Sequence, residues 1–219
     1  MIAMLYLVLG LTTGICCLWL TPRRSRLTIE GRAAVHAALL GLILPTLALL
    51  LMSFTSALSS HAINPVQHML GHAAQHMSLP LLGLAALQLT RDQPWQPIAW
   101  GRLVIGLMLG FEVSRRLGWQ EQWLWLINLA GLGALGLAAL RHLADKRLMV
   151  CWVLSSAGLL APFSSGGLPL IALTEANVSA AALLLLYSGA TTMIGLLINR
   201  RTQDIGKVAD PTQSRAVKP

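Results

Sequence analysis

The chain is 219 residues long, 55% hydrophobic and only 11% charged, against about 25% charged in an ordinary soluble domain. With a mean hydropathy of +0.66, that composition excludes most soluble folds and a disordered chain, and predicts an all-α, polytopic bundle of transmembrane helices. Sixteen basic residues stand against eight acidic ones; because they lie in short loops between apolar stretches they read as topology signals, and nucleic acid is not an expected partner.

Seven spans are predicted. The first, 2–20, has no basic residue before it and no small-x-small cleavage site after it, so a retained helix is expected. It carries Cys16 and Cys17, about 100° apart on a helix. With Cys151 these read as small apolar helix residues, soft-metal ligation by the adjacent pair being the alternative. The second span, 33–55, contains Pro45 as an expected kink. The third, 65–89, opens on Asn64-Pro65, a capping residue followed by proline at the first helical position. The fourth covers 97–113, the fifth 122–140, the sixth 148–164 and the seventh 177–198. Segment 165–176, with Gly166, Gly167 and Pro169, reads as a loop, a half-helix or a bent extension of the sixth span. Residues 1–201 thus form a transmembrane domain, and 202–219 a polar, disordered cytoplasmic tail.

Charge orients the spans. With the N-terminus outside, fourteen of the sixteen basic residues fall on the inner side, and only Arg115 and Arg116 on the outer side. That asymmetry predicts an N-out, C-in protein, in a bacterium a multi-pass protein of the inner (plasma) membrane. The outer side would then hold His61 and the start of the third span.

The third span reads NPVQHMLGHAAQHMSLPLLGLAALQL. His68, His72 and His76 stand at i, i+4 and i+8, each step turning about 40° and rising about 6 Å. One ion can bridge His68 and His72, or His72 and His76, but the outer two are about 12 Å apart. Any ion on this stripe therefore uses His72, and His72→Ala is expected to abolish binding where His68→Ala or His76→Ala leaves a partial site. Met69 and Met77 each follow a histidine, and Met69 is three residues from His72. Imidazole with thioether suits copper, above all Cu(I). Zinc would favour thiolate or carboxylate beside imidazole, and the segment has neither. Three polar groups on one stripe are costly in lipid, which argues for function over helix packing. His61, Gln75 and Glu175 are further candidates. His36 lies near the opposite end and is left out. Haem is the alternative cofactor, disfavoured because axial ligands come from facing helices and these histidines share one.

Other polar features have structural readings. Glu112 and Arg116 form an i, i+4 pair. Asn128 reads as an interhelical hydrogen bond, and GLGALGLAAL (131–140) as small-residue helix packing. Trp95, Trp100, Trp119, Trp123 and Trp125 cluster near expected membrane interfaces. There is no G-x-x-x-x-G-K-[ST], G-x-S-x-G or H-E-x-x-H, and no pair of intramembrane carboxylates. A non-catalytic protein is expected.

HAAQHM (72–77) followed by LPLLGL (79–84) resembles the H-x-x-Q-H-M and P-L-L-x-L-G pattern of CtaG-type cytochrome c oxidase assembly factors. Those are seven-helix bacterial membrane proteins linked to copper insertion. The resemblance implies roles for His72, Gln75, His76 and Met77, with Pro80, Leu81 and Leu82 in the segment after them. It covers about 13 residues, and the later His/Trp-rich element of the family is QWLWLIN (122–128) here, without histidine. The expected function is copper handling or oxidase assembly, with a respiratory oxidase subunit or copper chaperone as partner. A haem-binding or accessory subunit of a respiratory complex and a small permease or channel are the alternatives.

Overall fold

The computed structural model describes residues 2–58, 64–91, 95–142, 145–164 and 180–209, and among them the chain is entirely helical. The seven α-helices are α1 (Ile2–Leu20), α2 (Ile29–Leu58), α3 (Asn64–Leu89), α4 (Pro97–Arg116), α5 (Gln120–Leu140), α6 (Lys146–Ser164) and α7 (Ala180–Ala209). A 3-10 turn, Thr21–Arg26, joins α1 to α2. Segment 165–176 lies outside the described residues. The expected start of the seventh span at 177 also lies outside the described residues, and α7 continues past 201 to Ala209. Hydropathy marks the stretch that lipid can hold, whereas backbone hydrogen bonding carries a helix on into polar sequence.

Among the described residues, five helices are long and apolar enough to cross a membrane, through the stretches Met4–Ser25, Ile29–Thr55, Pro97–Arg116, Gln120–Leu140 and Ala182–Gln203. Helix α3 has the length, 26 residues or about 39 Å at 1.5 Å per residue. Its apolarity is diluted by Gln67, His68, His72, Gln75, His76 and Gln88. Helix α6 opens on Lys146 and Arg147 and carries Ser155 and Ser156.

Helix α3 is the centre of the bundle, packed against α2, α4, α5 and α7. Its second half is buried almost without interruption, from Ala74 to Leu89. The α3–α5 contact is backbone-close. A Cβ on Gly83 would overlap the Gly131 backbone, and one on Gly131 would lie 2.7 Å from the Leu79 carbonyl. Gly131, Ala134, Leu135, Ala138 and Ala139 are all buried there, as the small-residue run predicts. Asn128 bridges the same two helices: its Nδ2 donates to the Gln75 carbonyl at 3.1 Å and to the Leu124 carbonyl at 2.8 Å.

The far end of α3 is held by cations. Arg201 Nη1 donates to the Gln88 and Leu89 carbonyls at 3.3 and 3.1 Å, adding to the Arg91 N–H that the Gln88 carbonyl already accepts at the helix C-terminus. Arg141 donates to Thr90 Oγ1 at 3.3 Å, and Arg200 pairs with Asp145 at 2.6 Å. At the adjoining ends of α1 and α2, Arg24 donates to His36 Nε2 at 3.2 Å. Cys16, Cys17 and Cys151 are free thiols. Two of the five tryptophans pack against neighbouring side chains or backbone. Trp100 is buried against Trp95, with ring centroids 5.6 Å apart, and Trp123 fills the space beside Gly110 between α5 and α4.

Candidate functional site

The opposite side of α3 stands away from α4 and leaves a cleft of about 680 Å³. Met69, His72, Ala73, His76 and Met77 form the α3 wall. Their spacing of i, i+3, i+4, i+7 and i+8 is one continuous face of an α-helix. Leu107, Met108, Phe111, Glu112 and Arg115 of α4 form the facing wall, and Gln120 closes it from the start of α5.

The donors are graded by depth. Met69 and Met108 are 74% and 56% exposed and stand at the mouth, whereas His76 and Met77, 3% and 5% exposed, form the floor. His72 is half-buried between them. The Phe111 ring lies over both imidazoles, 4.4 Å from His76 and 6.1 Å from His72 between centroids. Nδ1 of His76 is buried and has no hydrogen-bond partner among the described residues. A polar atom that deep usually has one, and His72 Nδ1, Asn128 Oδ1 and Tyr187 Oη are buried in the same state.

Local sequence places these groups. Pro80 has no N–H, so the His76 carbonyl, four residues earlier, loses its normal helical donor. One residue before His76, the Gln75 carbonyl receives Asn128 from α5. Helix α3 is thus pinned from the α5 side at the level where its histidines face α4. The Gln75 side chain is only 2% exposed and does not line the cleft.

The expected stripe is divided. His72 and His76 line the cleft, whereas His68 is exposed and does not. The reason is angular: each four-residue step drifts about 40°, and His68 lies well over 90° from the centre of the face formed by residues 69, 72, 73, 76 and 77. Met69 and Met77 line the cleft as expected, while His61 and Glu175 lie outside the described residues. Glu112 makes the expected pair with Arg116, Nε to Oε1 at 2.9 Å, and a two-pronged pair with Arg115 at 2.9 and 3.0 Å. With its oxygens engaged by two guanidinium groups, Glu112 is a rim residue rather than a free carboxylate ligand.

Met108 and Phe111 were not singled out from the sequence. Their only local signal is that they share one face of α4 with Leu107, Glu112 and Arg115. Among the described residues no three His, Cys, Asp or Glu side chains come together to hold a metal ion. The donors in this cleft are two imidazoles and three thioethers, beside the Gln120 amide and the ion-paired Glu112 carboxylate. No protein-family model, curated protein or solved structure matches the chain.

Proposed function

We propose that this is a non-catalytic bacterial plasma-membrane protein that takes up Cu(I) at its outer side and passes it on during cytochrome c oxidase assembly. The observation that carries this reading is the meeting of His72, His76, Met69, Met77 and Met108 in one cleft. Soft thioethers with neutral imidazoles select Cu(I) over harder divalent ions. Thioethers at the mouth and an imidazole on the floor offer successive, exchangeable ligands, which a carrier needs. The resemblance of residues 72–84 to CtaG-type assembly factors supports the same reading. An oxidase subunit or a copper chaperone would be the exchange partner.

In this proposal all seven helices span the bilayer, N-terminus out and C-terminus in. Helix α3 tolerates Gln67, Gln75, His76 and Gln88 because neighbouring helices shield them from lipid. The basic residues of the α3, α5, α6 and α7 ends then share the inner side with the α1–α2 connection, and the cleft opens near the outer face.

A haem site is less well supported. Both histidines belong to one helix and Phe111 occupies the space beside them. Purified full-length protein in detergent, titrated with Cu(I) against a chromophoric chelator, is expected to bind the ion saturably and to lack a Soret band. Absence of binding contradicts copper handling, and a Soret band in the purified protein favours the haem reading. Substrate uptake into proteoliposomes without Cu(I) binding would favour a permease.

A further inference from the structure

Helix α4 is the most weakly held of the five apolar helices. Only 17% of its apolar stretch is buried, against 28% to 67% for the other four. Its strongest charges are satisfied within the helix, Glu112 by Arg115 and Arg116, so these pairs do nothing to join it to α3. What seats it are Phe111 over the histidines, buried Trp100 and Ser114, and the Trp123 ring beside Gly110.

On the other wall, all the donors of α3 rise along a single face. An ion bound by His72 and His76 alone is therefore coordinated from one side only. The soft donor atom facing α3 is the thioether of Met108, three residues before Phe111 and at the mouth of the same cleft, the Gln120 amide being a harder oxygen donor. The neighbouring carboxylate, Glu112, is engaged by arginines.

We infer that Met108 is a metal ligand supplied by α4, and that loading the cleft ties α4 to α3. The inference rests on the Cu(I) reading of the site. Coordination here is ligand exchange: the ion leaves its donor's ligands and gains bonds from the Met108 sulfur and the α3 imidazoles, remaining Cu(I) throughout. A thioether carries no proton, so its bond releases none. The empty cleft would have a loosely seated wall, and the loaded cleft a fixed one.

Two measurements on the full-length protein test this. The first is Cu(I) affinity by chelator competition for the parent, Met108→Leu and Met69→Leu. The second is hydrogen exchange of the α4 amides with and without Cu(I). Leucine keeps the bulk and removes the sulfur. Met108→Leu is expected to lose at least about tenfold in affinity, the lower end of what even an outer-shell change costs a metal site. It should also lose Cu(I)-dependent protection of α4, which the parent and Met69→Leu retain. Equal affinity in Met108→Leu and the parent overturns the inference and leaves the copper reading standing. Weaker binding with α4 protection intact overturns the tie between helices. A parent that binds no Cu(I) overturns both.

Discussion

On its α5 side, helix α3 has no room to spare: the glycines at 83 and 131 let two backbones touch, and Asn128 crosses the contact to reach the Gln75 carbonyl. On its α4 side the same helix stands behind a cleft of about 680 Å³, bridged by the Phe111 ring. The first contact is made of small side chains and backbone, with one polar bridge. The second is made of imidazoles, thioethers and an ion-paired rim. The difference separates two roles of polarity in an apolar bundle. Asn128 is polar and finds its acceptors, so it fastens. His76 instead lines the cleft beneath Phe111, with an Nδ1 that finds none among the described residues.

Four substitutions sharpen that contrast. The largest effect is expected at Gly131→Ala. Its Cβ meets the Leu79 carbonyl and Pro80 nitrogen at 2.7 and 2.8 Å, backbone atoms that cannot turn aside. Destabilisation of about 3 kcal/mol, the upper end for overpacking, is expected as a lowered unfolding midpoint in detergent. A midpoint equal to the parent's would show that the α3–α5 contact is looser than described. Asn128→Ala should cost about 1 kcal/mol in the same assay, since an interhelical hydrogen bond in a membrane bundle is worth little more. Its Oδ1 already lacks a partner, which lowers the cost of removing the side chain.

Phe111→Ala acts on the other side. It should lower the midpoint, since the ring is one of the contacts seating α4, and also expose His76, raising its rate of carbethoxylation by diethyl pyrocarbonate severalfold, read by peptide mass spectrometry. An unchanged rate would mean that Phe111 does not cover the imidazole. Arg116→Gln is expected to leave the midpoint unaltered, because Arg115 still engages both Glu112 oxygens and exposed pairs contribute little. A clear drop would give the rim a structural role that its exposure argues against.

Much of the α3–α5 side could be read from the sequence, because it is written in local pattern. The run 131–140 announces close packing, and Asn128 announces a partner. Glu112 and Arg116 lie four apart on one helix and meet. The α4 side depends on how two helices face each other. Nothing local places Phe111 over His76, 35 positions away. Helical drift alone decides that His72 faces the cleft and His68 does not, and the centre of the face is known only once α4 is in place. Seven spans were expected and five helices meet the apolarity of one. Helix α3 falls below that apolarity because of its polar residues, of which Gln67, Gln75, His76 and Gln88 are buried by neighbouring helices and His68 is exposed.

The central claim is that the α3–α4 cleft is a Cu(I) site built on His72 and His76. Chelator-competition titration of the parent beside His68→Ala, His72→Ala and His76→Ala, each checked for expression in the membrane, tests it most directly. The cleft geometry predicts saturable Cu(I) binding in the parent, near-parental binding in His68→Ala, and loss of at least about tenfold in both His72→Ala and His76→Ala. Parental affinity in His76→Ala, or loss confined to His68→Ala, would contradict it.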